Sequence, residues 1–260
     1  ASYWLARVTL RPIRLAYEKQ KRFLGDASHE LRTPLSILQI ELENELHSEK
    51  DTQKNEDIKS KLEEVQRMSK LVSDLLTLSR LDDEVVPKAR KASTLTIDEF
   101  ADRIHQITKR LESLASKHSV ALNFKNEIQQ TTQVPGTKAV KQRFITIDEE
   151  LLSHALTNLI QNAIFYNKKD GSVEVTIKMI GKKIKLTIAD TGVGISELDL
   201  EHIFDRFYRA DKSRTRSNVK HSGSGLGLSI ARSTLLHIGA TLRLESEVDK
   251  GTIATIEFSI

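Results

Sequence analysis

Between Ser28 and Leu35 the chain reads Ser28-His29-Glu30-Leu31-Arg32-Thr33-Pro34-Leu35. If this is helix, His29 lies about 200° from both Ala27 and Leu31, at roughly 100° per residue. It therefore points away from the apolar seam that those two residues belong to. An exposed imidazole is a candidate nucleophile, and Glu30 beside it can accept the ring N–H proton. Thr33, four residues on, shares the face of His29. Pro34 has no N–H, so the carbonyl of Glu30 loses its helical partner and the helix should bend there. A bend beside the ring makes room for a second domain to approach. From this residue alone, a solvated surface histidine is the competing explanation. The histidines at 47, 105, 118, 154, 202, 221 and 237 lack such surroundings.

The second half holds four further pieces. Asn158 and Asn162 stand four apart on an expected helix, so both amides project from one face. Amide oxygens are hard ligands of the kind Mg²⁺ takes alongside phosphate oxygens and water. Asp190-Thr191-Gly192-Val193-Gly194 follows an expected strand. A carboxylate at a strand end can accept the exocyclic amine of adenine, and glycines let backbone approach a ligand closely. Gly223-Ser224-Gly225-Leu226-Gly227 runs into an expected helix, whose free N–H groups favour phosphate. No Gly-Lys-Ser/Thr follows, so this is not a P-loop, and the dinucleotide fingerprint is missing too. Gly251-Thr252 precedes the last strand. Each piece alone also fits a bland role: a wet helix face, a strand-ending turn, a tight hairpin.

Two kinds of element must carry these groups. Leu24, Ala27, Leu31, Leu35, Leu38 and Leu42 recur at helical spacing, and so do Ile58, Leu62, Val65, Ser69, Val72 and Leu76. Polar residues 47–57 interrupt the two seams, which predicts an antiparallel helical hairpin. One hairpin cannot bury both stripes, so a four-helix bundle from two chains, a homodimer, is expected. The alternative is packing against the rest of the same chain. Residues 82–94 are polar, contain Pro87 and lack periodicity, and read as a linker. Beyond them, helices over 98–118, 148–166 and 224–238 alternate with strands over 120–125, 144–147, 173–179, 183–189, 241–247 and 252–258. Val173, Val175 and Ile177 alternate with polar residues, as do Ile184, Leu186 and Ile188, which marks a sheet covered on one face. The link Ile180-Gly181-Lys182 predicts a hairpin. The expected result is an α+β sandwich with helices on one side of a mixed sheet.

Composition narrows the class. A chain of 260 residues with 38% hydrophobic and 29% charged content suits one or two soluble domains rather than disorder. No cysteine rules out disulfides, zinc ribbons and a thiol nucleophile, and is consistent with a reducing compartment. A net charge of +4 is too mild to indicate nucleic acid. No apolar run approaches the ~18 residues of a spanning helix. Trp4 through Arg14, aromatics followed by arginines, fits either the cytoplasmic end of a membrane helix or an ordinary amphipathic start.

His29-Glu30-Leu31-Arg32-Thr33-Pro34, with Phe23 to Ser28 before it, resembles the H-box of sensor histidine kinases of two-component signalling. The later pieces, in order and spacing, resemble the N, G1 and G2 boxes and the final Gly-Thr of an ATPase domain. That domain is shared by histidine kinases, gyrase, a heat-shock chaperone and mismatch-repair ATPases. Ile203 through Arg209 resembles the F-box. Together the likeness covers about residues 15 to 260. It implies an all-α hairpin forming a dimeric four-helix bundle, followed by an α/β sandwich of the Bergerat type that binds ATP and Mg²⁺. By domain, residues 1–14 would be a juxtamembrane helix start, 15–81 the dimerisation and phosphotransfer hairpin, 82–94 the linker and 95–260 the catalytic domain.

The resemblance also assigns roles. His29 would be phosphorylated with Glu30 as base, and would pass the phosphoryl group to an aspartate of a response regulator. Thr33 would position the hydrolytic water for dephosphorylating that regulator. Asn162 would hold Mg²⁺ with Asn158 close by. Asp190 would read adenine, Tyr166 would flank the nucleotide and Thr252 would sit near the base. Gly192, Gly194, Gly223, Gly225 and Gly227 would shape the pocket and its lid. Segment 203–220, with a net charge of +4, would close over triphosphate. One position departs from the family: Phe165 stands where a basic residue often precedes the tyrosine, so that phosphate contact is either lost or supplied by Lys168 or Lys169. The N-terminal stretch resembles the one just after the last membrane helix in membrane-bound members, so the chain is expected to be the cytoplasmic portion of a bacterial plasma-membrane sensor. A non-catalytic nucleotide-binding scaffold is the alternative that Phe165 motivates. A DNA-directed ATPase of the gyrase type is a third, in which the H-box hairpin has no place.

Overall fold

The computed structural model describes residues 31, 33–47, 51–81, 92–128, 143–210 and 224–260. They fall into two compact units that divide between Glu84 and Val85. The first holds helix α1 (33–47) and helix α2 (Thr52–Leu81). Here the expected polar interruption is mostly helix. Asp51 Oδ1 accepts from the N–H of Gln53 at 2.8 Å and of Lys54 at 3.4 Å, which starts α2 at Thr52. Residues 52–57 contain no Pro or Gly, and polarity alone does not break a helix. Leu35, Ile58, Val72, Leu76 and Leu78 are buried, while Leu31, Ile37, Leu38, Ile40 and Met68 remain exposed.

The second unit is built on a five-stranded mixed sheet. Its strands are β2 (Ala121–Asn126), β4 (Ser172–Ile180), β5 (Lys183–Asp190), β6 (Ala240–Glu247) and β7 (Gly251–Ser259), in the order β2-β4-β5-β7-β6. β2 runs parallel to β4, and the remaining neighbours are antiparallel. The turn between β4 and β5 places Gly181 at φ 61°, a left-handed conformation that glycine adopts freely. One face of the sheet buries Val173, Val175, Ile177, Ile184, Leu186, Ile188, Ile256 and Phe258. Helices α3 (Ile97–Arg110), α5 (Glu149–Phe165) and α7 (Gly227–His237) pack with that face into one core. Thr96 and Glu99 cap α3 reciprocally, the Glu99 N–H donating to Thr96 Oγ1 at 3.2 Å and the Thr96 N–H to Glu99 Oε2 at 2.7 Å. Phe100 on α3 then meets Phe258 edge-on at 5.2 Å.

Boundaries moved in two places. Strand β1 (Ala92–Thr96) pairs antiparallel with β3 (Phe144–Asp148), Ala92 opposite Asp148. The last three residues of the segment expected as linker therefore belong to the second unit, because a pairing partner some fifty residues away decides them. The helix expected over 98–118 breaks at Leu111 into α3 and a short α4 (Glu112–Lys117), and both Leu111 and Ala115 are buried across the break. A single turn, α6 (Glu197–Leu200), carries too few residues to show periodicity.

Candidate functional site

Helix α5 begins at Asp148, whose Oδ1 accepts from the N–H groups of Glu150 and Leu151. It is apolar on most sides, with Leu152, Leu156 and Ile160 fully buried. Asn158 interrupts this face and is 4% exposed, and its Nδ2 has no hydrogen-bond partner among the described residues. An unpartnered buried amide is costly, on the order of 1–3 kcal/mol, unless something else occupies the space beside it. Asn162, one turn later, is half-buried and makes no side-chain hydrogen bond among the described residues. Both amides face the start of α7. A Cβ built on Gly227 would lie 3.7 Å from Asn158 Oδ1 and 3.8 Å from Asn162 Nδ2. Among the described residues no side chain caps that helix start, so its N–H groups are available to an anion.

The other wall is the end of β5. Asp190 Oδ1 accepts from the Gly192 N–H at 2.8 Å and from the Thr252 N–H at 3.1 Å. Its second oxygen is unengaged among the described residues. Burial pushes the Asp190 carboxyl above its ordinary value, and the two amides hold it down less strongly. Gly192 presses on the chain that leaves α5, where a Cβ would meet the Tyr166 carbonyl at 2.4 Å, and the Val193 N–H donates to that carbonyl at 3.0 Å. At Gly194 (φ 68°) a Cβ would meet the Glu247 carbonyl at 2.0 Å. These glycines admit other backbone segments as close neighbours. Gly225 (φ 72°) likewise crosses Phe207 and Tyr208, and the Phe207 N–H donates to its carbonyl at 3.0 Å.

This arrangement suits a nucleoside triphosphate. The unpartnered amide of Asn158 can donate to a phosphate oxygen, Asn162 offers a hard amide oxygen to Mg²⁺, and the uncapped α7 start attracts negative charge. The free Asp190 oxygen suits an amine. Tyr166, at the end of α5, is 41% exposed and keeps its backbone tied to Val193.

Residues 19–84 match the family model described as His Kinase A (phospho-acceptor) domain. Residues 147–260 match that described as Histidine kinase-, DNA gyrase B-, and HSP90-like ATPase. Sensor protein CiaH of Streptococcus pneumoniae is 36% identical over 262 residues, covering 100% of this chain and 54% of that protein. The signal transduction histidine-protein kinase ArlS of Staphylococcus aureus is 34% identical over 246 residues, covering 94% of this chain and 49% of that protein. The chain belongs to the sensor histidine kinases. It spans about half the length of the curated relatives it matches. The solved histidine kinase AdeS of Acinetobacter baumannii shares the fold, with TM-score 0.56 at 22% identity over 89% of this chain and 97% of that one.

In this histidine kinase, His29, Glu30 and Gly223 lie outside the described residues, as does the part of the basic segment beyond residue 210. Thr33 is exposed on α1. Among the described residues no helix is long and apolar enough to cross a membrane. Phe165 turns its ring edge-on to His118, with centroids 5.2 Å apart. The Lys168 ammonium donates to the backbone carbonyl of Asp249. Of the two lysines considered as substitutes for a basic residue at 165, Lys168 is thus committed to a turn. In the F-box segment, Phe204 lies under the Arg232 guanidinium at 4.8 Å and the Tyr208 hydroxyl donates to Asp199 Oδ1 at 2.7 Å.

Asn167 escaped the sequence reading. Its Nδ2 donates to the carbonyls of Ala163 and Ser172, each at 3.0 Å, and its Oδ1 accepts from the Thr191 hydroxyl at 3.2 Å. One side chain thereby fastens the end of α5 to the start of β4 and to the turn after Asp190. Its only sequence signal is adjacency to Tyr166, since Thr191, the partner that ties it to the turn after Asp190, stands 24 positions away.

Proposed function

We propose that this chain is the phosphoacceptor and ATPase portion of a homodimeric sensor kinase that phosphorylates His29 from ATP. What carries the reading is the apposition of the Asn158 and Asn162 amides to the uncapped start of α7. The triphosphate lies there, with Asn158 and the α7 N–H groups on phosphate oxygens. Asp190 accepts the adenine amine, with Thr252 beside it and Tyr166 flanking the base. Gly192, Gly194, Gly223, Gly225 and Gly227 shape the pocket and its lid. Mg²⁺, held by Asn162 when bound, neutralises charge on the phosphates. A ring nitrogen of His29 attacks the γ-phosphorus; a P–N bond forms, the bond to the bridging oxygen breaks and ADP leaves. Glu30 takes the proton from the other ring nitrogen. Since little covalent assistance is needed, positioning supplies most of the rate.

The phosphoryl group then passes to an aspartate of a response-regulator receiver domain, and Thr33 orients water when the kinase removes it. We place the juxtamembrane helix start at 1–14, the phosphoacceptor hairpin at 15–81, the linker at 82–91 and the ATPase domain at 92–260. The whole protein is anchored in the plasma membrane through a segment preceding this chain, with these domains in the cytoplasm.

The test is incubation with γ-labelled ATP and Mg²⁺, comparing wild type with His29→Ala and Asn162→Ala. Acid-labile, alkali-stable label in wild type and its loss in both variants is the expected result. Nucleotide binding without label in wild type would replace this reading with the non-catalytic scaffold.

A further inference from the structure

Ser246 lies on β6, outside every motif that the sequence displays. Its hydroxyl oxygen has three polar neighbours at 2.8 Å: the Ile195 N–H, the Gly251 carbonyl and Thr252 Oγ1. A carbonyl only accepts, so Ser246 gives its single proton to Gly251. The Ile195 N–H only donates. The remaining contact can therefore run one way, with the Thr252 hydroxyl donating to Ser246. That uses both acceptor positions and the one donor of Ser246. It also uses the proton of Thr252, whose oxygen has only lone pairs left to offer. The Thr252 N–H in turn donates to Asp190 Oδ1 at 3.1 Å, beside the carboxylate oxygen that is unengaged among the described residues. Among the described residues, the Thr252 hydroxyl oxygen and the second Asp190 oxygen are thus both left as acceptors.

We infer that Ser246 is a positioning residue that sets base specificity: by holding the Thr252 hydroxyl as an acceptor, it makes the corner accept a 6-aminopurine and reject a 6-oxopurine. The inference rests on the reading of Asp190 as the base-contacting group. Adenine carries N–H donors at C6. Hypoxanthine has the same ring with an oxygen there, and an acceptor facing acceptors is repelled. Without Ser246 the Thr252 hydroxyl is free to turn and donate to that oxygen.

The test measures the Kd of ATP and of inosine triphosphate by calorimetry on the full chain. Wild type should prefer ATP, and Ser246→Ala should lower the ATP-to-inosine preference about fivefold, the worth of one neutral hydrogen bond. In a Thr252→Val background, where no hydroxyl remains to orient, removing Ser246 should change the preference no further. A purely structural Ser246 would weaken both nucleotides equally, and that outcome overturns the inference. Should Ser246→Ala fail to fold, Thr252→Val alone decides: a reduced preference supports the inference and an unchanged one overturns it. Asp190→Asn separates the two layers. If it alters neither ATP affinity nor preference, the reading of the site itself fails. If it abolishes the preference while Ser246→Ala leaves it intact, only the role of Ser246 fails.

Discussion

In the unit from Ala92 onward, Phe100, Leu152, Leu156, Ile160, Val173 and Phe258 are almost wholly withdrawn from water. On the helical hairpin, Leu31, Ile37, Leu38 and Ile40 stay roughly half exposed. The sheet unit has a second layer, helices α3, α5 and α7, to cover its apolar face. On α1, Leu35 is buried while Ile37, Leu38 and Ile40 stay exposed among the described residues. One unit closes its core alone, and the other presents the kind of surface that a second copy covers. The same division fits the work proposed for each: a preorganised nucleotide site needs rigidity, while a phosphoacceptor hairpin exchanges partners.

The largest effect should come from opening the closed unit. Phe100 belongs to a segment that the ATPase family model does not match, yet it is fully buried against Phe258. Phe100→Ala should cost about 3–5 kcal/mol, lowering the melting of the sheet unit by many degrees in calorimetry. The hairpin transition should not move. If the sheet unit melts as before, the segment from Ala92 to Asn126 is an appendage rather than part of the core.

The hairpin calls for the opposite experiment. Leu38→Glu puts a charge on its exposed apolar face, which costs little in a monomer and much in a dimer. Sedimentation equilibrium should show dimer affinity weakened at least tenfold, on the order of 1.4 kcal/mol, with the sheet unit's melting unchanged. A dimer unaffected by the substitution would mean that this face is not what the second copy covers.

The smallest effect is a pH dependence, and it too differs between units. Each holds an aspartate whose carboxyl is raised chiefly by burial: Asp74 on α2, pushed up to about 6 and partly offset by Lys70, and Asp190 at the nucleotide corner. A raised carboxyl favours the protonated folded state. The stability tied to Asp74 is therefore fully present below 3.8 and is lost as pH rises through about 6. The hairpin should melt a few degrees higher at pH 5 than at pH 7.5, and Asp74→Asn should flatten that difference and stabilise it at the upper pH. At Asp190 the same direction acts on binding, because an amine needs the ionised carboxylate: ATP affinity should begin to fall on acidification above the pH at which an ordinary aspartate titrates.

Much of this architecture is legible in the sequence because its causes are local. Helical spacing marked α2, and alternation marked β4 and β5 to within a residue, since burial of one face imposes a period of two. Asn158 with Asn162 could be read as one face of a helix, and Asp190 as a strand-end carboxylate. The polar stretch at 52–57 misled for the same reason: composition reports solvent exposure, and an exposed helix with a good cap is still a helix.

Local pattern along the chain is enough for the order of most elements, the two apolar periodicities and the types of groups available for chemistry. Which of those groups meet depends on the folded packing. β1 is a strand because β3 pairs with it. Gly192 and Gly194 are glycines because the Tyr166 and Glu247 carbonyls leave no room for a Cβ. Thr252 reaches Asp190 across 62 positions, and Ser246 reaches Ile195 across 51. Hydrogen bonds of such separation leave no periodic trace along the chain, since each is a single contact whose partner is chosen by the packing of two strands and a turn.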